Sequence, residues 1–255
     1  MLYVTGASGL LGKRVIERWN SDVTKISYRD EVPDIFKKHK NSCLLHLGWS
    51  SIPSTQDEAV LNRDVTTSEI LFSKYLEKNP NGKIIFTSSA GDLHQGLSSE
   101  YNFPSPRTRY GECKLKTETI LKNFGCHSTV LRVSNIWGGD PDPNRKNGLV
   151  DKLIRVINTD EEVQLSVNLR SCLDLIHIDD LITLIYKVIL SEPAKHRVFL
   201  VGGQSISIWD IIDVISKRGY LKLKIDQQKR EKFFLDIDSS RAKTTFDWET
   251  KNYLK

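Results

Sequence analysis

The sequence predicts an α/β protein with a doubly wound parallel sheet, and three observations support this fold class. Apolar runs alternate with amphipathic segments along most of the 255 residues. The apolar runs, such as "CLLHLGW" and "KIIFTSSAG", are continuous, which is typical of parallel strands that are covered on both faces. Turn-forming stretches separate the segments. Strands that alternate with helices in this way favour one large parallel sheet.

In the first half of the chain, apolar strands alternate with helices that have a periodicity of about 3.6 residues. The predicted strands cover residues 2–6, 24–30, 43–49, 83–91 and 128–138. The predicted helices cover residues 10–19, 33–40, 59–78 and 109–123. The second of these helices is expected because Pro33 stands near its start, and "NPNG" ends the third.

After Gly138 the rhythm changes to shorter elements. The predicted helices cover 149–158, 180–190 and 207–219, and the predicted strands cover 163–167, 174–178, 197–202, 221–226 and 233–237. We expect a small lobe that is interleaved with the main domain. The main domain is predicted to comprise 1–134 with 173–202, which returns to the main sheet, and the C-terminal lobe to comprise 135–172 with 203–255.

Composition and charge argue against several classes of protein. Hydrophobic residues make up 39% and charged residues 27% of the chain, which is ordinary for a soluble globular protein. A membrane-spanning helix needs about 20 apolar residues, and no apolar run in the sequence is nearly that long. The N-terminus lacks the features of a signal peptide. We therefore expect a cytoplasmic protein without a membrane partner. The net charge of +5 is spread along the chain, which argues against a nucleic-acid partner.

The metal-ligating residue types form no cluster that favours a metal site. The four cysteines are scattered and form no C-x-x-C pair, which favours reduced thiols. The segment "HIDD", from His177 to Asp180, superficially has metal-ligand spacing. The end of a strand and a helix-capping aspartate explain it better. We predict that the protein holds no metal.

The motif "TGASGLLG" joins the first predicted strand to the first predicted helix and has the context of a dinucleotide site. One glycine permits the tight turn, one lets a pyrophosphate approach the backbone, and one packs the helix against the strand. The helix N-terminus then faces the negative charge. We therefore expect a Rossmann-type domain whose cofactor site includes Gly6, Gly9, Leu10, Leu11 and Gly12.

The end of the second predicted strand bears on the choice between NAD and NADP. Asp30 follows Gly6 by 24 residues. An acidic residue that binds the ribose 2′-hydroxyl is expected at a separation of about 20 residues. Arg29 stands beside it and is suited to a 2′-phosphate. Both residues are predicted to contact the cofactor, and the balance favours NADP slightly over NAD.

Tyr110 and Lys114, in "YGECK", are one helical turn apart and form a candidate catalytic pair. Tyrosine has a pKa of about 10, and a tyrosine that acts as a general acid or base at neutral pH needs a lower value. A positive charge on a nearby lysine, and a second one on an oxidised nicotinamide, are expected to lower this pKa. Ser89, at the end of a predicted strand, supplies a hydroxyl for a substrate oxygen, and the adjacent Ser88 is the alternative. A second Tyr-x-x-x-Lys, Tyr220 to Lys224, lies in a strand-like segment, where a helical turn does not bring the two residues together.

Six motifs in order along the chain carry a resemblance to a known family. They are "TGASGLLG", "HLGWSSIP", "IFTSSAG", "YGECK", "LRVSNIWG" and "LDLIHIDDL". Together they resemble the extended short-chain dehydrogenase/reductase family, the NAD-dependent epimerase/dehydratases of nucleotide sugars. The resemblance runs from Met1 to about Trp248.

The resemblance implies roles for several residues. It implies that Ser89, Tyr110 and Lys114 are the catalytic set, with Tyr110 and Lys114 also contacting the cofactor. It further implies that Gly48 lies in a loop over the cofactor. The residues that it implies for substrate binding are Ser50, His94, Asn135 and Arg145.

The sequence departs from the family pattern at several positions. Leu173 stands where an arginine commonly binds the diphosphate, and the candidate replacements are Arg170, or Arg145 together with Lys146. Asp64 replaces a common asparagine, and His94 replaces a common tyrosine. The segment between "SYRD" and "CLLHL" is also shorter than in larger family members.

For the reaction, the resemblance implies redox chemistry at C4 of a nucleoside-diphosphate hexose. We favour a reductase that converts a 4-keto-6-deoxy sugar with exchangeable NAD(P)H. The alternative is a 4-epimerase similar to UDP-glucose 4-epimerase, with retained NAD. Dehydration is disfavoured because an Asp-Glu pair is missing after Ser89, and a non-catalytic NAD(P)-binding regulator is a remote alternative. The resemblance also implies a homodimer that forms through 60–78 and 109–123.

Overall fold

The computed structural model describes residues 1–19, 22–27, 31–139, 148–226, 231–251 and 254. The first part of the chain forms β1 (Leu2–Thr5), α1 (Leu10–Arg18), β2 (Val23–Ile26), β3 (Cys43–His46), α2 (Glu58–Lys78), β4 (Lys83–Ser89), β5 (Gly96–Ser98), α3 (Arg109–Asn123), β6 (His127–Val133) and β7 (Asn135–Trp137). The second part forms α4 (Leu149–Val156), β8 (Glu162–Ser166), β9 (Cys172–His177), α5 (Ile178–Leu190), β10 (Arg197–Val201), β11 (Gln204–Ser207), α6 (Ile208–Ser216), β12 (Lys222–Asp226), β13 (Leu235–Ile237) and α7 (Ser240–Phe246).

Six parallel strands form the main sheet in the order β10-β6-β4-β3-β1-β2. Helices cover both faces, because successive strand residues point to opposite sides and both sides are apolar. In β1, Leu2 and Val4 pack into the core cluster that contains α5, whereas Tyr3 packs into the cluster that contains α2 residues. The predicted α/β fold class with a doubly wound parallel sheet is confirmed.

The edge strand β10 has polar side chains bound to its outer backbone groups. Glu100 Oε1 accepts a hydrogen bond of 3.1 Å from the Leu200 N–H. Arg241 Nη1 donates a hydrogen bond of 3.0 Å to the Val198 carbonyl oxygen. These contacts satisfy backbone groups that an edge strand otherwise leaves unpaired.

The strands outside the main sheet form three small sheets with the orders β11-β9-β7, β12-β8 and β13-β5, here called the C-terminal lobe, although β5 lies outside the ranges predicted for it. The core cluster of this lobe includes Val150, Leu153, Val163 and Ile211, each at most 1% exposed. We predicted that residues 173–202 return to the main sheet, and this is wrong for β9. Only β10 joins the main sheet, because β9 pairs with β7 and β11 instead.

Two other local predictions are wrong. The segment 33–40 forms no helix, because Tyr3 Oη accepts a hydrogen bond of 2.9 Å from the Lys37 N–H and the Phe36 ring packs on Tyr3. The expected strand 128–138 divides at Ser134 into β6 of the main sheet and β7 of the lobe. The short elements β5, β11 and α7 were not predicted. No helix within the described residues is both long and apolar enough to cross a membrane.

Candidate active site

The glycine loop connects β1 to α1 with a close approach to the loop after β3. Gly6 has a φ of +66°, and a Cβ atom there would lie 2.8 Å from Gly48 N. A Cβ atom on Gly12 would lie 2.2 Å from the Gly6 carbonyl oxygen. Gly9 precedes α1 without a side-chain cap, so the first N–H groups of the helix are available to an anion. The residues present therefore fit a dinucleotide pyrophosphate.

A cavity of about 510 Å³, here called the glycine-loop cavity, lies beside this turn. Its lining includes Gly6 and Gly48, two of the predicted cofactor contacts, and Ser50, which was predicted to bind the substrate instead. Leu10 and Leu11 pack partly buried against the adjoining core cluster. The predicted cofactor contacts Arg29 and Asp30 lie outside the described residues.

The loop after β3 is held in place by two buried side chains. Thr5 Oγ1 accepts hydrogen bonds from the Leu47 and Gly48 N–H groups at 3.1 and 2.9 Å. Asp64, which is 6% exposed, accepts hydrogen bonds from the Ser50 and Ser51 N–H groups at 3.0 and 2.8 Å. The loop that lines the glycine-loop cavity is therefore preorganised.

A second cavity of about 310 Å³, the tyrosine cavity, brings together residues from distant parts of the chain. Ser89 comes from the end of β4, Tyr110 from the first turn of α3, and Asn135 from the start of β7. Arg107 and Phe233 also line the cavity, and the Arg107 guanidinium carbon lies 4.2 Å from the centroid of the Phe233 ring. The Trp49 ring, which lines the glycine-loop cavity, lies 6.3 Å from the Tyr110 ring. Trp49 therefore connects the two cavities.

Lys114 lies one turn after Tyr110 on α3 and is 4% exposed. Its Nζ donates a hydrogen bond of 3.0 Å to the Thr87 carbonyl oxygen and lies 3.8 Å from the Trp49 ring centroid. Burial lowers the pKa of Lys114 to about 7, although Asp64, Glu118 and Asp92 oppose this shift.

The Tyr110 hydroxyl is held in its neutral form. Burial raises its pKa well above the ordinary value, and the carboxylates of Asp92 and Asp64 raise it further. We expected the neighbouring Lys114 to lower this pKa. The protein's own groups have the opposite effect, because burial dominates and Lys114 Nζ lies 5.5 Å from the Tyr110 ring centroid.

Asp92 is a site residue whose contacts the sequence analysis did not anticipate. Its carboxylate is 9% exposed and accepts hydrogen bonds of 2.9 Å from Ser89 Oγ and of 2.9 Å from Thr108 Oγ1. Thr108 caps α3, since its Oγ1 accepts a hydrogen bond from the Gly111 N–H. The signal in the sequence was a carboxylate three residues after the candidate catalytic serine.

The predicted substrate-binding residues fall in different places. Asn135 lines the tyrosine cavity, and its Nδ2 donates a hydrogen bond of 3.0 Å to the Asp174 carbonyl oxygen. Ser50 lines the glycine-loop cavity, and Arg145 lies outside the described residues. His94 is 2% exposed and does not line the tyrosine cavity. Its burial favours a structural role over the predicted substrate contact.

His94 belongs to a buried cluster behind the site. Its Nε2 lies 3.1 Å from Arg132 Nη1, and Arg132 forms a bidentate ion pair with Glu118 that includes an Nη2–Oε2 distance of 2.7 Å. Burial and the Arg132 charge lower the pKa of His94 to about 4, so the imidazole is neutral. Because Glu118 lies on α3, the cluster anchors the helix that carries Tyr110 and Lys114.

A third cavity of about 740 Å³, the lobe cavity, is lined by Arg170, Trp209 and Lys232. Trp209 is 59% exposed. The lobe cavity lies next to the tyrosine cavity, because Lys232 lines the former and the adjacent Phe233 lines the latter. Three or more potential metal-ligating side chains do not cluster anywhere in the part of the chain that the structure describes.

A family model and several known proteins match this chain. The sequence model of the NAD dependent epimerase/dehydratase family matches residues 2–202. Over 72% of the chain, the sequence is 28% identical to a dTDP-4-dehydro-6-deoxyglucose reductase from Escherichia coli, and the match spans 61% of that relative's length. A GDP-6-deoxy-D-talose 4-dehydrogenase from Aggregatibacter actinomycetemcomitans is 23% identical over 89% of the chain and 83% of its own length.

Two solved structures share the fold along nearly the whole chain. A UDP-glucose 4-epimerase from Thermotoga maritima with UDP-glucose has a TM-score of 0.82 at 21% identity, over 99% of this chain and 94% of that one. RMD from Pseudomonas aeruginosa with NADPH has a TM-score of 0.81 at 16% identity, over 99% and 94% of the two chains. At these identities the likeness shows the fold alone.

Proposed function

Because the chain belongs to the NAD dependent epimerase/dehydratase family, we propose that it is an NAD(P)-dependent nucleotide-sugar oxidoreductase. Its substrate is a nucleoside-diphosphate 4-keto-6-deoxyhexose, whose C4 keto group is reduced. One observation carries this proposal: Ser89 and a neutral Tyr110 line one cavity that adjoins the glycine-loop cavity at Trp49. The E. coli relative is named as a reductase of a substrate of this class.

The proton in this reaction comes from Tyr110. Reduction of a ketone adds a hydride to carbon and a proton to oxygen, and a reduced nicotinamide supplies the hydride when it is bound. A neutral phenol donates the proton, so the raised pKa of Tyr110 suits reduction. Lys114, buried behind the tyrosine, and Trp49 hold the nicotinamide end of the cofactor beside this hydroxyl.

The glycine-loop cavity supports the preference for NADP over NAD. Lys13 of α1, Lys25 of β2 and Arg63 of α2 line it. Asp64 also lines it, but its carboxylate binds the backbone of the loop after β3. A cofactor cavity lined by three cations suits the additional 2′-phosphate of NADP better than the free 2′-hydroxyl of NAD.

The nucleoside diphosphate is proposed to lie in the lobe cavity. A sugar at Tyr110 points its diphosphate past Phe233 towards Lys232 and Arg170, two cations that suit phosphate oxygens. The exposed Trp209 ring then offers a face on which a nucleobase stacks. Arg170 is thus preferred to Arg145 as the replacement for the missing arginine at position 173.

A 4-epimerase with retained NAD is the second candidate. Ser89 Oγ donates a hydrogen bond to the Asp92 carboxylate, so its oxygen is left as an acceptor for the substrate. An acceptor fits a sugar hydroxyl, the form that an epimerase oxidises first. A homodimer through the exposed sides of α2 and α3 stays a prediction in either case.

One experiment distinguishes the reductase from the 4-epimerase. The purified protein is denatured, and the dinucleotide that it releases is identified. An empty protein that binds NADPH more tightly than NADH, and then oxidises NADPH with 4-keto-6-deoxy nucleotide sugars, supports the reductase. Stoichiometric retained NAD supports the epimerase. A protein that binds dinucleotide but converts no nucleotide sugar in either assay contradicts both proposed activities.

A further inference from the structure

Asp92 joins the strand that carries Ser89 to the helix that carries Tyr110. Its Oδ2 accepts a hydrogen bond of 2.9 Å from Ser89 Oγ, and its Oδ1 accepts one of 2.9 Å from Thr108 Oγ1. Its carbonyl oxygen accepts a further hydrogen bond of 3.0 Å from the Arg107 N–H. One residue therefore fixes the end of β4 against the first turn of α3.

The packing around Asp92 leaves little freedom for this connection. A Cβ atom on Gly111 would lie 2.8 Å from the Asp92 carbonyl oxygen and 3.1 Å from its Cβ atom. Gly111 directly follows Tyr110, so the backbone that carries the tyrosine touches Asp92. The distance between Ser89 and Tyr110 depends on this contact, and a displacement of about 1 Å at such a site can lower the rate about 100-fold.

The hydrogen bonds also determine what Ser89 offers to a substrate. Ser89 Oγ donates its hydrogen to the Asp92 carboxylate and accepts a hydrogen bond of 3.3 Å from the Asp92 N–H. A hydroxyl has one donor and two acceptor lone pairs. One lone pair is left for the substrate, so Ser89 acts towards it as an acceptor.

We propose that Asp92 is a positioning residue that orients Ser89 as a hydrogen-bond acceptor for the sugar C4 hydroxyl, and that Tyr110 alone donates to the C4 keto oxygen. This inference rests on the proposed function of the same site. The two hydroxyls then have different roles. Ser89 accepts a hydrogen bond from the C4 hydroxyl of the alcohol form of the sugar, and Tyr110 donates a hydrogen bond and then the proton to the C4 oxygen of the keto form.

Asp92 also contributes to the charge around the Tyr110 hydroxyl. The charged groups that face this tyrosine are Asp92 from the loop after β4, Asp64 from α2, Lys114 from α3 and Arg107 from the cavity wall. A carboxylate stabilises the neutral phenol, so removing the Asp92 charge lowers the pKa of Tyr110. The alkaline limit of ketone reduction, which needs the protonated phenol, then moves to lower pH.

The test is a double-mutant cycle with Asp92→Asn and Ser89→Ala, measured by steady-state kinetics across pH. Glu112→Gln is the matched control, because Glu112 is a half-exposed carboxylate in the first turn of α3 that pairs with Arg109 instead. We expect Asp92→Asn to lower kcat about 10- to 100-fold. The same change is expected to have less than about a 3-fold effect when Ser89 is already alanine, because the two residues act as a unit.

Two further results are expected. The alkaline limit of kcat shifts to lower pH in Asp92→Asn but not in Glu112→Gln. Crystal structures of Asp92→Asn and the wild type show a different Ser89 rotamer or a different Ser89–Tyr110 distance. This structural readout needs no substrate, so it remains decisive if no nucleotide sugar is turned over and the proposed function fails.

Equal losses from Asp92→Asn in the wild-type and Ser89→Ala backgrounds would overturn the proposal, since Asp92 would then act independently of Ser89. An unchanged Ser89 position in the crystal structure of Asp92→Asn would also overturn it. If Asp92→Asn unfolds, Thr108→Val removes the second hydrogen bond of the carboxylate and keeps the Ser89 contact. We expect this variant to lose helix stability and to keep the pH profile of the wild type.

Discussion

The Lys114 ammonium group lies 3.8 Å from the centroid of the Trp49 ring, in a pocket from which water is almost fully excluded. Among the described residues, no carboxylate forms an ion pair with it. The aromatic face and the Thr87 carbonyl oxygen therefore replace the hydration shell of a buried cation. Burial without an ion-pair partner still disfavours the charged form, as the lowered pKa of Lys114 shows, and we propose that the lysine is kept for its role in the proposed reaction.

Lys114→Met is expected to inactivate the protein and to stabilise it by roughly 1–4 kcal/mol near neutral pH, because an apolar side chain replaces a buried charge. The folded-state pKa of about 7 lies below the ordinary value of 10.5, so the unfolded chain binds more protons between these values. The free energy of unfolding of the wild type thus rises as the pH increases from about 7 to 10.5. The difference in this free energy between the wild type and Lys114→Met therefore becomes smaller. Urea unfolding of both proteins at several pH values checks this, and a difference that is constant with pH would contradict it.

Tyr110→Phe is expected to lower kcat by roughly 100-fold or more and to leave dinucleotide binding unchanged, because only the proton donor is lost. Tyr220→Phe is the matched control, since this 61% exposed tyrosine has the same spacing to a lysine without the helical context. Turnover and NAD(P)H fluorescence titrations measure the two effects. Unchanged turnover of Tyr110→Phe would contradict the role of Tyr110 as proton donor, whereas dinucleotide binding without turnover in both the wild type and the variant would favour the binding regulator.

Arg132→Met is expected to destabilise the fold by about 3–5 kcal/mol, because it leaves the buried Glu118 carboxylate without its partner. The double change Arg132→Met with Glu118→Met should restore most of the loss. Arg155→Met, which breaks an exposed pair with Glu161, is the control and should change stability little. Chemical denaturation gives the three values, and a double variant as unstable as the single one would refute the explanation.

Trp209→Ala and Lys232→Ala are each expected to raise the KM for the nucleotide sugar roughly 10-fold, because they remove a stacking face and a phosphate-binding cation. Dinucleotide affinity should not change, since the lobe cavity is separate from the glycine-loop cavity. Lys217→Ala, an exposed lysine that pairs with Asp213 at the end of α6, serves as control. An unchanged KM in both variants would place the nucleotide elsewhere.

Long periodic elements were predictable, and elements that depend on tertiary contacts were not. The ranges of α2 and α3 follow from their apolar spacing and capping residues. The segment 33–40 has a helical pattern, but the Tyr3 hydroxyl binds the Lys37 backbone and holds it as coil. The break at Ser134 also has no local signal, because the apolar run continues through it.

The candidate site divides in the same way. Ser89 lies near the end of a predicted strand and Tyr110 in the first turn of a predicted helix, so their meeting at one edge of the sheet could be anticipated. Asn135 lay inside the predicted strand 128–138, and its place in the cavity depends on the break at Ser134. Phe233 reaches the tyrosine cavity from the C-terminal lobe, and its contact with Arg107 depends on a fold that spacing does not encode. The contact of His94 with Arg132 could not be predicted either, because His94 lies in the loop between β4 and β5 and Arg132 lies on β6.

The contacts of Glu100 and Arg241 on β10 bear on how this protein meets its own copies. A strand from a second molecule that approaches this side finds the Leu200 donor and the Val198 acceptor already engaged. Continuing the main sheet from one molecule into the next at β10 would require both side chains to leave. Strand pairing between two molecules at β10 is therefore disfavoured. These two contacts protect the open sheet from polymerising edge to edge at this strand.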